Sequence, residues 1–251
     1  MKKFVILTTQ RSGSTWLVDI LNSVKGVVAS SELFLTKYKM YASRAGEKYP
    51  TWLHWYQNKK NIAQLKFRPA YVKLYLNEFY ADGNEVHAKG FKLMYSHLKV
   101  YPEIFFYLIY NRIKILHLIR ENSLDVYLSK LRVRTTKIAH SNENSDNVIL
   151  KVSISKMFRE LRSHQRAVNV AMRIFSRIGC PYDEVIYENI CGSEKSIERV
   201  IRDLGLKEEN IDNVSELKKL RTQGYKKEIE NYSEVANALK RTKYAKYLKG
   251  I

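Results

Sequence analysis

Phe4-Val5-Ile6-Leu7 narrows the possible folds more than any other segment: it is a continuous, β-rich apolar run, the pattern of a strand buried on both faces. Polar residues from Thr8 to Ser14 follow, with Gly13 among them. Trp16, Leu17, Ile20 and Leu21 then recur at helical spacing. Strand, tight loop and helix form the opening unit of many nucleotide-binding α/β proteins.

The rest of the chain repeats the alternation. Val27-Val28-Ala29 reads as a second strand ending at Ser30-Ser31-Glu32, and residues 91–94, 113–119 and 184–187 read as three more. Helical patterns fall at about 101–111, 122–137, 153–178, 194–204 and 229–241, and residues 34–83 are aromatic, basic and mostly helical. This order predicts an α/β, three-layer, P-loop-like fold with a mainly parallel central sheet flanked by helices. A chain of 251 residues fits one domain, 1–251. Residues 141–147 are polar without apolar periodicity and read as a surface loop.

Gln10 to Trp16 sit where backbone N–H groups and the helix macrodipole favour an anion. Gly13 allows close backbone approach, Ser12, Ser14 and Thr15 supply hydroxyls, and Arg11 supplies a fixed cationic fork. The plain alternative is a helix capped by Ser12 or Ser14. A Walker A loop needs G-x-x-x-x-G-K-[ST], and both the first Gly and the Lys are missing.

The net charge of +19 draws anionic partners such as nucleic acid, membrane, glycan or a polyanionic nucleotide, although part of it reflects a general lysine-rich bias. Cys180 and Cys191 form neither a CxxC pair nor a disulfide framework, which fits a reducing compartment. The apolar run after Met1-Lys2-Lys3 is too short for a secretory h-region, and no stretch approaches the roughly 20 apolar residues of a membrane helix. The expectation is a soluble, cytoplasmic protein with no membrane span. No His/Cys/carboxylate spacing for a metal is visible.

Thr9 to Leu17 (TQRSGSTWL) resembles the 5′-phosphosulfate loop of sulfotransferases that use 3′-phosphoadenosine 5′-phosphosulfate (PAPS), particularly bacterial carbohydrate-type members. The resemblance implies that Arg11, Ser12, Gly13, Ser14, Thr15 and Trp16 hold the 5′-phosphosulfate. Ile115 to Ser129 resembles the family's 3′-phosphate motif, with Arg120 and Ser129 at the matching positions. The match departs in spacing: many members keep the Arg eight residues before the Ser, whereas Arg120 is nine before Ser129. Val185 to Asn189 resembles the V-x-Y-E-D segment whose Tyr, here Tyr187, approaches adenine. Residues 218–221 and 230–235 resemble the family's basic loop and the helix after it; the loop closes over the 3′-phosphate there, which makes Lys219 and Arg221 candidates.

The resemblance further implies PAPS as sulfuryl donor, 3′,5′-ADP (PAP) as product, no metal, and an acceptor hydroxyl on a carbohydrate or small molecule. For the base, Glu32 stands in a segment resembling the family's E-x-F stretch, and His97 is second choice. Glu32 otherwise reads as a helix N-terminal carboxylate. Lys92 reads equally as a group reaching the reaction or a strand lysine with its head in water. His117, inside an apolar strand, reads as structural. Tyr41, Trp52, Trp55 and Tyr56 read as core first and sugar-stacking second.

Three other functions fit parts of the chain. A P-loop-type kinase shares strand–loop–helix but wants a loop Lys and a Walker B Asp. A basic nucleic-acid-binding protein would use the charge, yet no named motif is present and the charge is spread along the chain. A catalytically inert PAP-binding scaffold is the third.

Overall fold

Two faces of one sheet account for the apolar run at the start of the chain. A computed structural model describes residues 1–37, 39–42, 49–59, 67–81, 85–136, 148–191, 193–206 and 224–249. The strands are β1 (Lys2–Thr8), β2 (Val27–Glu32), β3 (Ala88–Met94), β4 (Lys114–Ile119) and β5 (Tyr182–Ile186). They form one sheet in the order β2-β3-β1-β4-β5, and every pairing is parallel. Val5 and Leu7 enter one apolar cluster and Phe4 and Ile6 the other, so β1 is buried on both sides.

The helices are α1 (Ser14–Ser23), α2 (Trp52–Asn58), α3 (Arg68–Phe79), α4 (Tyr95–Val100), α5 (Glu103–Tyr110), α6 (Ser123–Thr136), α7 (Ile154–Phe175), α8 (Tyr187–Ile190), α9 (Glu194–Asp203), α10 (Tyr225–Glu228) and α11 (Tyr232–Lys240). A 3₁₀ segment, Lys243–Lys249, follows. The chain divides into two compact units, Met1–Ile119 with Val170–Leu217, and Arg120–Asn169 with Lys218–Ile251.

The first unit holds the sheet, with Leu17, Ile20 and Leu21 of α1 on one face and the aromatic residues of α2 and α3 on the other. Trp52 and Trp55 are buried there, so they pack the core, whereas Tyr41 and Tyr56 are exposed. The second unit has its own core of Leu124, Tyr127, Leu128, Met157, Leu161, Val235 and Leu239. Asn231, just before α11, donates through Nδ2 to the Val152 carbonyl and accepts from its N–H, both at 3.0 Å.

Several predicted boundaries move. The third strand starts at Ala88 because all seven of its residues are buried, Lys89 and Lys92 included, which hydropathy alone disguises. The fifth ends at Ile186, so Tyr187 opens α8 instead of closing a strand. The predicted loop at 141–147 lies outside the described residues.

His117 on β4 is fully buried, and both ring nitrogens meet phenols: Tyr95 at Nε2, and Tyr182 at Nδ1 at 2.6 Å. Burial lowers its pKa from 6.5 to about 4. The unfolded chain therefore takes up a proton below about 6.5 that the native state refuses until about 4. Stability is complete above pH 6.5 and is lost as pH falls through that window. His164 titrates in the same window. His117→Gln is expected to remove about half of the combined slope, which falls by ~1.4 kcal/mol per pH unit for each proton. Denaturant unfolding at stepped pH checks this, and an unchanged slope contradicts it.

Candidate active site

At the carboxyl end of β1 the chain makes two left-handed turns, at Arg11 (φ 65°) and Gly13 (φ 87°). The first costs a non-glycine residue about 1–2 kcal/mol. Gly13 is the residue before α1 and has no side chain with which to cap that helix. The cap position thus belongs to neither Ser12 nor Ser14, against the plain capping alternative. Ser14 is buried as the first helical residue. Ser12 is buried with its Oγ 2.6 Å from Thr8 Oγ1, which also lies 2.9 Å from the Leu118 carbonyl oxygen. Thr15 and Trp16 are half-buried in the first turn.

Gly13 is required twice over. A side chain there would be strained by the backbone, and its Cβ would stand 2.1 Å from Tyr187 Cε2. Tyr187 also meets Trp16 edge-on, with ring centroids 5.9 Å apart. The sequence brings Tyr187 to the neighbourhood through adenine; the structure sets its ring on the loop itself.

Two strands away, Glu32 lies opposite Lys92 across the β2–β3 pairing, where the register slips between Ser30 and Glu32. Lys92 Nζ is 2.9 Å from Glu32 Oε1, and His97 Nε2 is 3.5 Å from Glu32 Oε2. His97 is the third residue of α4, and its Nδ1 accepts the Met94 N–H at 3.3 Å. That bond leaves the ring proton on Nε2, facing Glu32. Burial by itself would raise the Glu32 pKa; the His97 hydrogen bond and the Lys92 charge overcome it and hold the carboxyl at about 2. The group is ionised across the physiological range, though weakly basic while Lys92 grips it. Glu32, His97 and Lys92, which the sequence offers separately, are therefore one cluster.

The strand register carries this cluster to the loop's end of the sheet. Ile6 pairs with Lys92 and Thr8 with Met94. Parallel strands lie about 4.8 Å apart, so Glu32 is about 10 Å from the β1 axis at the same carboxyl edge, where open α/β sheets bind ligands.

In the second unit, Arg120 leads into α6, and its Nη2 is 3.0 Å from Asp125 Oδ2. The Tyr225 phenol donates to Asp125 Oδ1 at 2.7 Å and accepts from Asn122 Nδ2 at 2.8 Å. Asn122 Oδ1 also accepts the N–H groups of Leu124 and Asp125, at 3.1 and 3.3 Å, and so caps the helix. Ser129 is half-buried further along α6. Lys219 and Arg221 lie outside the described residues. Sequence reasoning missed the Asp125–Tyr225 support of Arg120, although Asn122 ahead of an apolar run was a readable cap signal.

Among the described residues, no group of three or more His, Cys, Asp or Glu side chains gathers as a metal site. No described helix is long and apolar enough to cross a membrane. Neither Cys180 nor Cys191 stands in a disulfide among the described residues.

A family model described as "Sulfotransferase domain" matches residues 1–249. Among solved structures, a sulfotransferase from Alicyclobacillus acidocaldarius is similar at 14% identity and a TM-score of 0.48, over 99% of this chain and 94% of that one. No curated protein matches the sequence.

Proposed function

As the chain belongs to the sulfotransferase domain family, we propose that it moves the sulfuryl group of PAPS to an acceptor hydroxyl of a carbohydrate or small molecule. It is a transferase. What supports this donor is the coincidence of a glycine-capped helix N-terminus behind Arg11 with the Glu32–Lys92–His97 cluster at the same sheet edge.

In this reading the acceptor oxygen attacks sulfur, the bond from sulfur to the 5′-phosphate oxygen breaks, and PAP leaves. The hydroxyl proton passes to Glu32. Arg11, with the amides and hydroxyls of Ser12 to Trp16, takes up the charge that develops on the leaving phosphate. Lys92 is the natural counter-ion for the sulfuryl oxygens. Its movement from Glu32 towards the donor would raise the carboxylate's basicity when it is needed. His97 keeps Glu32 oriented through its Nε2–H. Arg120 and Ser129, with Lys219 and Arg221, are assigned to the 3′-phosphate, and Tyr187 to the nucleotide beside the loop. No step calls for a metal, because the leaving group is a phosphate that cations neutralise.

The net charge of +19 favours an anionic acceptor such as an acidic glycan. Two cysteines outside any disulfide among the described residues accord with a cytoplasmic setting. A match running from residue 1 to 249 supports one sulfotransferase-like domain built from both compact units. Incubation with sulfur-labelled PAPS and panels of glycans, lipids and phenols tests the acceptor. Label is expected on a glycan hydroxyl; transfer confined to phenols would replace that acceptor class, and none to any panel would count against transfer from PAPS.

A further inference from the structure

His164 lies on the part of α7 that belongs to the second unit, and it is only 7% exposed. A series of hydrogen bonds ends on its ring. Gln165 Nε2–H donates to the Tyr247 phenol oxygen at 2.9 Å, and the phenol donates to Ser123 Oγ at 3.4 Å. Ser123 Oγ in turn lies 2.9 Å from His164 Nδ1. With the Ser123 hydroxyl donating to Nδ1, the ring N–H stands at Nε2. That Nε2 is buried and has no hydrogen-bond partner among the described residues. A buried donor in that condition calls for an acceptor beyond the described residues.

The charges around the ring indicate what kind of acceptor. On α6 and its approach stand Lys130, 3.5 Å from Glu160 of α7, and Arg120, 3.0 Å from Asp125. Arg134 reaches Glu160 at 3.7 Å, and from the 3₁₀ segment comes the Tyr247 phenol. Although two carboxylates are nearby, the cations prevail at the imidazole. Burial, then Lys130 and Arg120, push its pKa down to about 4. Ser123 is also the first residue of α6, a helix of 14 residues whose N-terminus adds positive potential. An unsatisfied N–H donor in a positive field matches the oxygen of an anion.

The geometry points to His164 as a further ligand of the nucleotide's 3′-phosphate, its Nε2–H donating to an oxygen of the group assigned to Arg120 and Ser129. This rests on the sulfotransferase reading of the site. A bound phosphate dianion raises the proton affinity of the imidazole, so PAP binding draws in a proton, and affinity strengthens as pH falls through the bound-state pKa.

Calorimetric titration with 3′,5′-ADP and with 5′-AMP, which lacks only the 3′-phosphate, isolates the contact. His164→Leu is expected to weaken 3′,5′-ADP binding roughly ten- to a hundredfold and to leave 5′-AMP unchanged. His164→Gln keeps a donor and retains most of the affinity. An unchanged ratio of the two affinities in His164→Leu would overturn the assignment. Should the leucine variant not fold, imidazole NMR of the unmutated chain decides. The resonance missing from His164→Gln must titrate higher with 3′,5′-ADP and stay put with 5′-AMP; no difference overturns the proposal. If the unmutated chain itself does not prefer 3′,5′-ADP over 5′-AMP, the donor assignment fails first, and His164 with it.

Discussion

Glu32→Gln is expected to lower kcat for sulfuryl transfer by about 10²–10⁴-fold, the range of a lost general base, with the affinity for 3′,5′-ADP nearly intact. The amide keeps the size of the carboxylate, and its one oxygen accepts from Lys92 or from His97, so one of the two contacts survives. What disappears is the only group there that can take the acceptor's proton without first giving one up. The change also leaves Lys92, whose side chain is 8% exposed, without its counter-ion. A loss of about 1–3 kcal/mol in stability should accompany it. Melting temperature, nucleotide affinity and kcat measured on one preparation separate the effects. Unaltered transfer would remove Glu32 from the mechanism, and transfer lost in proportion to nucleotide affinity would make it a binding residue.

Arg11→Ala carries the second large expectation: 3′,5′-ADP binding should weaken about 10- to 100-fold, the size of a charge-assisted contact to phosphate. The residue's left-handed backbone gives this test an internal control. Arg11→Gly removes the same charge but relieves the strain, so it should bind as poorly as Arg11→Ala while melting higher. Arg11→Lys keeps a cation without the fork and should fall between. Affinity that follows melting temperature across the three variants would mean that the loop acts through stability alone.

The alternation of apolar runs with 3.6-residue periodicity made the parallel sheet legible, because strands buried on both faces have no polar side to disguise. Phe4 to Leu7 is the clearest case. Lys89 hid the start of β3, since a buried lysine looks like a surface residue until its surroundings are known. Glu32 and His97 were readable as separate candidates. Their union with Lys92 was not, for it depends on β2–β3 register and on the first turn of α4, neither of which leaves a mark in local sequence. Tyr187 was misplaced by one element because its aromatic ring continues the β pattern of Val185 and Ile186. His164 gave no signal at all: its importance comes from Ser123 and Tyr247, 41 and 124 residues apart from their partners in the same bond series.

The proposed donor carries a 3′-phosphate in place of a triphosphate, and thermal denaturation with each ligand addresses that choice directly. At a concentration about 100 times its dissociation constant, 3′,5′-ADP should stabilise the chain by ~2.7 kcal/mol, a rise in melting temperature of roughly 5–10 °C. ATP with magnesium should do little. Stabilisation by ATP with magnesium and none by 3′,5′-ADP would contradict the account.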